Sequence, residues 1–217
     1  MRPVLFLLAA AAYGQTFTPY SGEESSVRTQ ILADGTQVSE KTVAGHLYRD
    51  PQGRTRSERL IAPGTPNETL IVELVDPAAD VRYILDARNK AAHRFLLTPA
   101  PATKARLAEV APSEDAAPQQ QYGTEVLGQR MIGPVVAEGR RIVTTILPAS
   151  GSNDHLAVVA TEMWYSNALG LTLYSKVSDP RAGDTTYAIT NLSLTTPDPA
   201  LFQIPAGYTI VDPTSSN

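Results

Sequence analysis

The stretch TLIVELVDPAADVRYILD, residues 69–86, places two strand-like runs on either side of a turn. Residues 69–76 and residues 81–86 both alternate apolar side chains with their neighbours, a period of two that is typical of β-strands. Between them, Asp76-Pro77 favours a turn because Asp bonds to its own downstream backbone and Pro fixes φ. The stretch therefore predicts an antiparallel hairpin.

The same succession of short strands and turns continues along the chain. Turn-forming segments stand at Asp34-Gly35, Asp50-Pro51-Gln52-Gly53, Asp86-Ala87-Arg88-Asn89 and Asp179-Pro180. Further strand-like runs cover residues 90–97, 131–139, 140–147, 157–166, 169–179 and 185–194. We therefore expect a mainly β fold of about nine or ten strands, whose first half is an up-and-down meander.

The run LGLTLYSKVSD, residues 169–179, shows the expected alternation most clearly. A period of two places Thr172, Tyr174 and Lys176 on one face. The other face then carries Leu169, Leu171, Leu173, Ser175 and Val177. This pattern predicts a half-buried antiparallel strand.

Residues 98–122 differ in composition from the rest of the chain. Pro and Ala dominate this stretch, and prolines bracket the helix-forming segment ATKARLAEV at residues 102–110. We expect a flexible linker or lid that carries a short helix. One domain over residues 15–217 with this long excursion is the preferred organisation, and two smaller domains on either side of it are the alternative.

The first residues are typical of a cleavable secretory signal. Arg2 supplies a positive charge, residues 4–12 are apolar, and Ala12-Tyr13-Gly14 offers small residues at a cleavage site after Gly14. The apolar run is about half of the ~20 residues that a spanning helix needs. These features predict a signal peptide at residues 1–14 and a periplasmic or secreted protein without a transmembrane anchor in its mature form.

Composition and motifs exclude several function classes. The formal charge is −4, which disfavours nucleic acid as a partner, and the absence of Cys excludes disulfides and a Cys nucleophile. His46, His93 and His155 are scattered and match no metal or catalytic motif. Two Asp pairs could ligate Ca²⁺, although the Asp-Pro turns account for them: Asp76 with Asp80, and Asp179 with Asp184. We expect a non-enzymatic protein with neither metal nor cofactor.

An arginine-rich stretch, LYRDPQGRTRSERL at residues 47–60, raises the possibility of a charged contact surface. If its hairpin projects at a rim of the sheet, its arginines keep the protein soluble or bind a phosphate or an acidic partner through their bidentate forks. The candidate partner-binding residues are Arg49, Arg54, Arg56 and Arg59. Alternatively, Glu58 and Glu40 pair with these arginines internally.

The largest aromatic cluster surrounds Trp164. Such a cluster forms either part of the core or the lining of an apolar groove in an open sheet. In the second case the candidate ligand-binding residues are Tyr83, Phe95, Trp164, Leu171 and Leu173. An open groove would favour ligand binding, whereas a groove filled by the protein's own side chains would favour an interaction module.

Three segments together resemble the periplasmic outer-membrane lipoprotein carrier and its sigma-regulator relatives. They are GHLYRDPQGRTRSE at 45–58, VRYILDARNKAAHR at 81–94 and GDTTYAITNLSLTTPDPALFQIPAGYTIVD at 183–212. The closing segment shows the counterparts Asn191-Leu192, Asp198-Pro199, Leu201-Phe202 and Pro205-Ala206-Gly207-Tyr208. The chain is also similar over residues 15–217 to uncharacterised secreted proteins abundant in Acidobacteria.

The resemblance implies an incomplete, strongly curved antiparallel β-barrel that holds acyl chains or the lipid of a partner. It departs from the carrier at residues 15–30, which show no helical apolar period. The implied function is an exported binding protein for a lipid or lipoprotein acyl chain. The alternative is a structural or regulatory module that binds an envelope protein.

Overall fold

The computed structural model describes residues 16–32, 34–97, 120–146 and 156–212. In these residues the chain forms a 12-stranded sheet and one short 3₁₀ helix at Pro199–Phe202. The strands are β1 (Tyr20–Ile31), β2 (Gln37–Arg49), β3 (Thr55–Ile61), β4 (Thr69–Asp76), β5 (Val81–Asp86), β6 (Ala91–Leu96), β7 (Gln120–Ile132), β8 (Val135–Ile146), β9 (Ala157–Ser166), β10 (Leu171–Asp179), β11 (Gly183–Ser193) and β12 (Thr209–Val211).

All of these strands belong to one open, curved sheet with the order β12-β6-β5-β4-β3-β2-β1-β11-β10-β9-β8-β7. Neighbours run antiparallel, except that β12 lies parallel to β6. The predicted mainly β fold with a curved antiparallel sheet is confirmed, as is the meander in the first half. The strand count exceeds the expected nine or ten because β1 is hydrophilic and β12 has only three residues.

The predicted hairpin at residues 69–86 is formed by β4 and β5. Leu74 pairs with Tyr83, and Asp76 pairs with Val81 where the strands meet the turn. The Asp76 carboxylate accepts hydrogen bonds from the backbone N–H groups of the second and third residues after it, both at 3.0 Å. Asp76 therefore stabilises the turn as its sequence position predicts.

Residues 131–139, expected as one strand-like run, instead contain a hairpin turn. Ile132 of β7 pairs with Val135 of β8, and Gly133 between them has a φ of +58°. Gly adopts this conformation without the steric cost that a Cβ brings, and Pro134 has no N–H to donate to a strand. The run therefore ends one strand and begins the next.

The alternation predicted for residues 169–179 is wrong, because β10 carries a β-bulge. The pairing of β10 with β9 shifts by one residue at Leu173. An extra residue inverts a period of two, so Val177 faces the side of the sheet opposite to Leu171. The long apolar face expected for this run is therefore split between the two sides.

Buried side chains form two clusters. The smaller cluster consists of Leu74, Leu85 and Ala92, with Ile204 and Tyr208 packed against it. The larger cluster joins the first two strands to the second half of the sheet and contains Tyr20, Leu47, Val135, Ala137, Trp164, Leu169, Leu173 and Ile189. The core is therefore shared between the two halves of the chain, in agreement with a single sheet.

The segment after β11 packs back against the first half of the sheet. The Asp198 carboxylate accepts a hydrogen bond from the Ala200 N–H at 2.9 Å and caps the 3₁₀ helix, in which Phe202 is buried. The Thr209 N–H then donates to the Lys90 carbonyl at 2.8 Å, where β12 joins β6. The Asp-Pro and Leu-Phe pairs noted in the sequence thus belong to one closing segment.

The signal peptide predicted at residues 1–14 lies outside the described residues. So does the Pro/Ala-rich excursion with its predicted helix, apart from residues 120–122, which begin β7. In the ranges that the structure describes, no helix has the length and apolar character needed to cross a membrane.

Candidate functional site

The candidate groove residues lie in two separate places. Trp164 and Leu173 belong to the larger cluster and are only 7% and 1% exposed, with Leu171 packed against them. Tyr83 packs on the smaller cluster, and the Phe95 ring lies 5.0 Å from the Arg82 guanidinium carbon. The structure therefore brings three of the five residues together, within a cluster that the protein's own side chains fill.

Trp164 owes its burial to a glycine on the neighbouring strand. A Cβ on Gly139 of β8 would lie 2.7 Å from atoms of the indole ring, so only Gly allows the ring to lie flat on that strand. The indole Nε1 donates a hydrogen bond to Glu162 at 2.7 Å. Arg141 bridges Glu162 at 3.2 Å and Glu125 at 3.1 Å. This network, led by the indole hydrogen bond, lowers the pKa of Glu162.

Two of the four candidate rim arginines stabilise the C-terminal end of β2 and the turn that follows it. Arg49 donates to the Thr18 carbonyl at 3.0 and 2.8 Å and to the Leu169 carbonyl at 2.7 Å. Arg54 pairs with the buried Asp50 carboxylate at 2.6 Å. Asp50 also accepts the Arg54 backbone N–H at 2.9 Å, which closes the turn between β2 and β3.

The other two rim arginines also have partners inside the protein. Arg56 pairs with Glu58 at 2.5 Å and donates to the Leu201 carbonyl at 3.1 Å. Arg59 pairs at 2.6 Å with Glu24, which is 2% exposed. Internal pairing by Glu58 is therefore confirmed, whereas the second acid is Glu24 on β1 and not the predicted Glu40. A role for these arginines in partner binding stays a prediction.

Glu24 is the centre of a buried polar network. Besides Arg59, its carboxylate accepts a hydrogen bond from the Tyr187 hydroxyl at 3.3 Å. Burial, and then the charge of Glu24, raise the pKa of Tyr187. The hydrogen bond to Glu24 likewise raises the pKa of Arg59. This network joins β1, β3 and β11, and sequence reasoning missed it because its members are far apart in the chain.

The two edges of the sheet differ in length and in exposure. One edge is the three-residue β12, and the other is the 13-residue β7. Within the described residues no strand pairs with the outer side of β7. Short edge strands are a usual protection against pairing with other chains, and β7 lacks that protection.

Exposed apolar side chains beside this free edge form what we call the edge face. They are Tyr122, Val126, Met131, Val136 and Tyr165. Met131 pairs with Val136, and Val126 pairs with Arg140, so these residues lie on one side of the sheet. A cavity of about 310 Å³ adjoins them and is lined by Glu138, Arg140, Met163, Tyr165 and Asn167. Sequence reasoning missed this face, because alternation does not show which strand ends a sheet.

Arg130 lies on the opposite side of β7. Its guanidinium carbon is 3.9 Å from the centre of the Trp164 ring and 5.4 Å from that of Tyr174. The residue is exposed, and none of the described residues forms a hydrogen bond or ion pair with its guanidinium. Arg130 is therefore held by its two ring contacts and by the charge of Glu162, and its N–H donors are unused within the described residues, unlike those of the four arginines singled out from the sequence.

A second cavity, of about 450 Å³, lies at the end of the sheet near the β10–β11 turn. Three of its apolar residues are markedly exposed, namely Ile31 at 74%, Leu32 at 48% and Val158 at 44%. Asp179 and Arg181 also line it, and the hydrogen bond from Arg181 lowers the pKa of Asp179 to about 2. The lining of this cavity therefore combines exposed apolar side chains with charged ones.

Candidate metal ligands do not converge in the described ranges. There, no group of three or more His, Asp or Glu residues could hold a metal ion. His46 and His93 lie on β2 and β6, which three other strands separate, and His155 lies outside the described residues. Three of the four Asp residues considered for Ca²⁺ act in turns and ion pairs: Asp76 with backbone N–H groups, Asp179 with Arg181 and Asp184 with Lys176.

Comparison with known proteins gives likenesses of fold only. No protein-family model and no curated protein matches the chain. An uncharacterised conserved protein from Thermus thermophilus superposes with a TM-score of 0.44 at 14% identity, covering 90% of this chain and 91% of that one.

A Pseudomonas aeruginosa MucA/MucB complex matches with a TM-score of 0.41 at 15% identity, covering 89% of this chain and 58% of that one. A structure of MucB alone matches with a TM-score of 0.39 at 14% identity, covering 90% and 60%. The chain thus spans little more than half the length of those MucB chains. These values assign neither a family nor a function.

Proposed function

We propose that the protein is an exported, non-enzymatic interaction module of the cell envelope that binds a partner protein at β7 and the edge face. The observation that carries this proposal is the contrast between a filled groove and an open edge. Trp164 and Leu173 are packed by the protein's own side chains, while β7 leaves its outer side unpaired in the described structure.

The composition of the edge face supports a protein partner. Tyr, Met and Arg are enriched at the centres of protein interfaces, and Tyr165, Met163 and Arg140 lie together around the adjoining cavity. Val126 is 77% exposed and Met131 is 61% exposed, although strand residues of this kind are usually covered. Burial of these side chains by a partner would remove apolar surface from water, which favours association.

Site-specific crosslinking in a bacterial envelope tests the proposal. A photo-reactive amino acid at Val126 is expected to give one discrete adduct heavier than the protein itself, and Met131→Lys should reduce its yield. The matched control is the same amino acid at Leu70, which is 56% exposed but lies on β4 in the interior of the sheet. No adduct from Val126, or the same adduct from both positions, contradicts docking at β7.

A second candidate function, the binding of an apolar chain such as an acyl group, is favoured by the 450 Å³ cavity at the end of the sheet. Its exposed Ile31 and Val158 would contact such a ligand without any rearrangement of the core. Native mass spectrometry of protein recovered from a bacterial periplasm tests it. An adduct of acyl-chain mass that is lost in Val158→Glu and kept in Leu70→Glu would support this function over the first.

A further inference from the structure

On the basis of the proposed docking at β7, we infer that the partner contributes an extended segment that adds a strand to residues 129–132 and places a carboxylate against Arg130. This inference names the chemistry of the partner, which the edge face alone does not specify. It concerns the C-terminal part of β7, which follows the β-bulge in that strand.

The bulge determines where a strand can be added. The pairing of β7 with β8 shifts between Val126 and Gly128, and Gly128 has a φ of +83°. Such a bulge bends the strand and divides its free edge into two parts. After the bulge, residues 129–132 pair regularly with β8. The backbone N–H and C=O groups of this segment that face away from β8 are therefore in strand geometry and can bond to an added strand.

The side chain of Arg130 is preorganised to bind an anion. Its stacking on Trp164 and Tyr174 limits the freedom of the side chain before any ligand binds, which reduces the entropy that binding costs. The planar fork of Arg matches a carboxylate with two parallel hydrogen bonds. Other arginines near it are already engaged, as Arg141 is with Glu125 and Glu162.

The two faces of β7 then define a pattern for the partner. Residues of an added strand alternate between the side of Arg130 and the side of Met131, because successive side chains in a strand point to opposite faces. Met131 and its cross-strand neighbour Val136 are apolar and exposed. A segment in which acidic and apolar residues alternate satisfies both faces at once, and its charge is opposite to that of Arg130.

Binding of a short blocked peptide in which valine and aspartate alternate tests the inference. Trp164 is the single tryptophan of the chain and lies under Arg130, so its fluorescence should report an ion pair at that guanidinium. We expect saturable quenching or a spectral shift that weakens as ionic strength rises. Peptides alternating valine with serine and valine with lysine provide the comparison.

The matched variants are Arg130→Gln and Arg88→Gln. Arg88 is also exposed and has no ion pair with a described residue, but it lies in the turn between β5 and β6. Arg130→Gln should weaken binding of the Val/Asp peptide about fivefold, and Arg88→Gln should leave it unchanged. Because loss of Arg130 also changes the surroundings of the reporter, the same affinities are measured by calorimetry, and Arg130→Lys should restore only part of the binding.

The outcomes separate this inference from the proposed function. Equal affinity for the aspartate and serine peptides, or equal effects of the two variants, overturns the carboxylate contact while leaving docking at β7 intact. Protection of the Gln129 and Met131 amides, whose N–H groups face away from β8, by the Val/Asp peptide against hydrogen exchange supports strand addition. Failure of every peptide to bind overturns the inference, and the crosslinking experiment then decides on the proposed function independently.

Discussion

Arg59 reaches across β2 and places its Nε 2.6 Å from Oε1 of Glu24. The strand between them contributes Gly45, which pairs with Glu24 on one side and with Arg59 on the other. A Cβ at Gly45 would collide with the backbone carbonyl of Glu58. This ion pair therefore depends on the absence of a side chain on the intervening strand.

Removal of Arg59 should be one of the most costly single substitutions in the first half of the chain. Glu24 is almost fully buried, so Arg59→Ala leaves a carboxylate that neither water nor another cation neutralises. We expect a loss of about 3 kcal/mol in the free energy of unfolding, measured by urea denaturation, because an unpaired buried charge is strongly destabilising.

Glu24→Gln provides the comparison for this substitution. The neutral amide can still accept a hydrogen bond from Tyr187, and it brings no buried charge. Its cost should therefore be smaller than that of Arg59→Ala, and the double variant should resemble Glu24→Gln alone. Additive effects of the two changes would show that the ion pair does not couple Glu24 to Arg59.

Gly139→Ala should destabilise the second half of the sheet. The new methyl group would lie 2.7 Å from the Trp164 ring, so the ring must leave its position on β8. We expect a loss of about 1–3 kcal/mol, typical of overpacking in a core, together with a change in tryptophan emission.

Gly123→Ala is the matched control for this overpacking. Gly123 also lies within a strand, but a Cβ there would meet nothing within 4 Å. Since Ala restricts the unfolded chain more than Gly does, this variant should be neutral or slightly more stable. Similar losses in both variants would mean that strand glycines matter for a reason other than the indole ring.

These packing relationships show where sequence reasoning succeeds and where it ends. Local patterns predicted the β4–β5 hairpin, because both its alternation and its Asp76 turn lie within a few residues. The partner of Arg59 was not predictable in the same way, since Glu24 is 35 residues away and the register of three strands decides the contact. The bulge at Leu173 inverted a face that simple alternation had predicted.

The candidate site was likewise predictable only in part. Trp164, Leu171 and Leu173 were recognised as an apolar group, but sequence could not say whether that group is open or filled. The edge face escaped notice because exposure of Val126 and Met131 follows from the position of β7 in the strand order. Strand order depends on long-range pairing, which a single sequence does not display.

Ser166→Ala should increase stability. Ser166 is completely buried at the end of β9, and its hydroxyl has no hydrogen-bond partner in the described structure. Replacement of an unsatisfied hydroxyl by a methyl group removes its desolvation cost, so we expect a gain of about 1 kcal/mol in the free energy of unfolding.

Ser193→Ala tests this explanation. The Ser193 hydroxyl oxygen accepts a hydrogen bond from the Thr195 N–H at 3.2 Å, so its loss should be neutral or mildly destabilising. Thermal unfolding of the two variants should therefore shift in opposite directions. A destabilised Ser166→Ala would indicate that the hydroxyl has a partner after all.

Acidification should change the fluorescence of Trp164 before the protein unfolds. The indole Nε1 hydrogen bond and Arg141 hold the pKa of Glu162 below its ordinary value of 4.5. A carboxylate whose pKa is lowered by folding contributes stability above its unfolded pKa, and that contribution disappears as pH falls through the folded pKa. The emission change should thus have its midpoint below pH 4.5 and be absent in Glu162→Gln. The control is Glu125→Gln, which removes the other carboxylate bound to Arg141.

Glu125 makes no contact with the indole, so this variant should retain the transition. A midpoint at or above 4.5 in the unmodified protein would mean that the indole does not stabilise the charged form of Glu162.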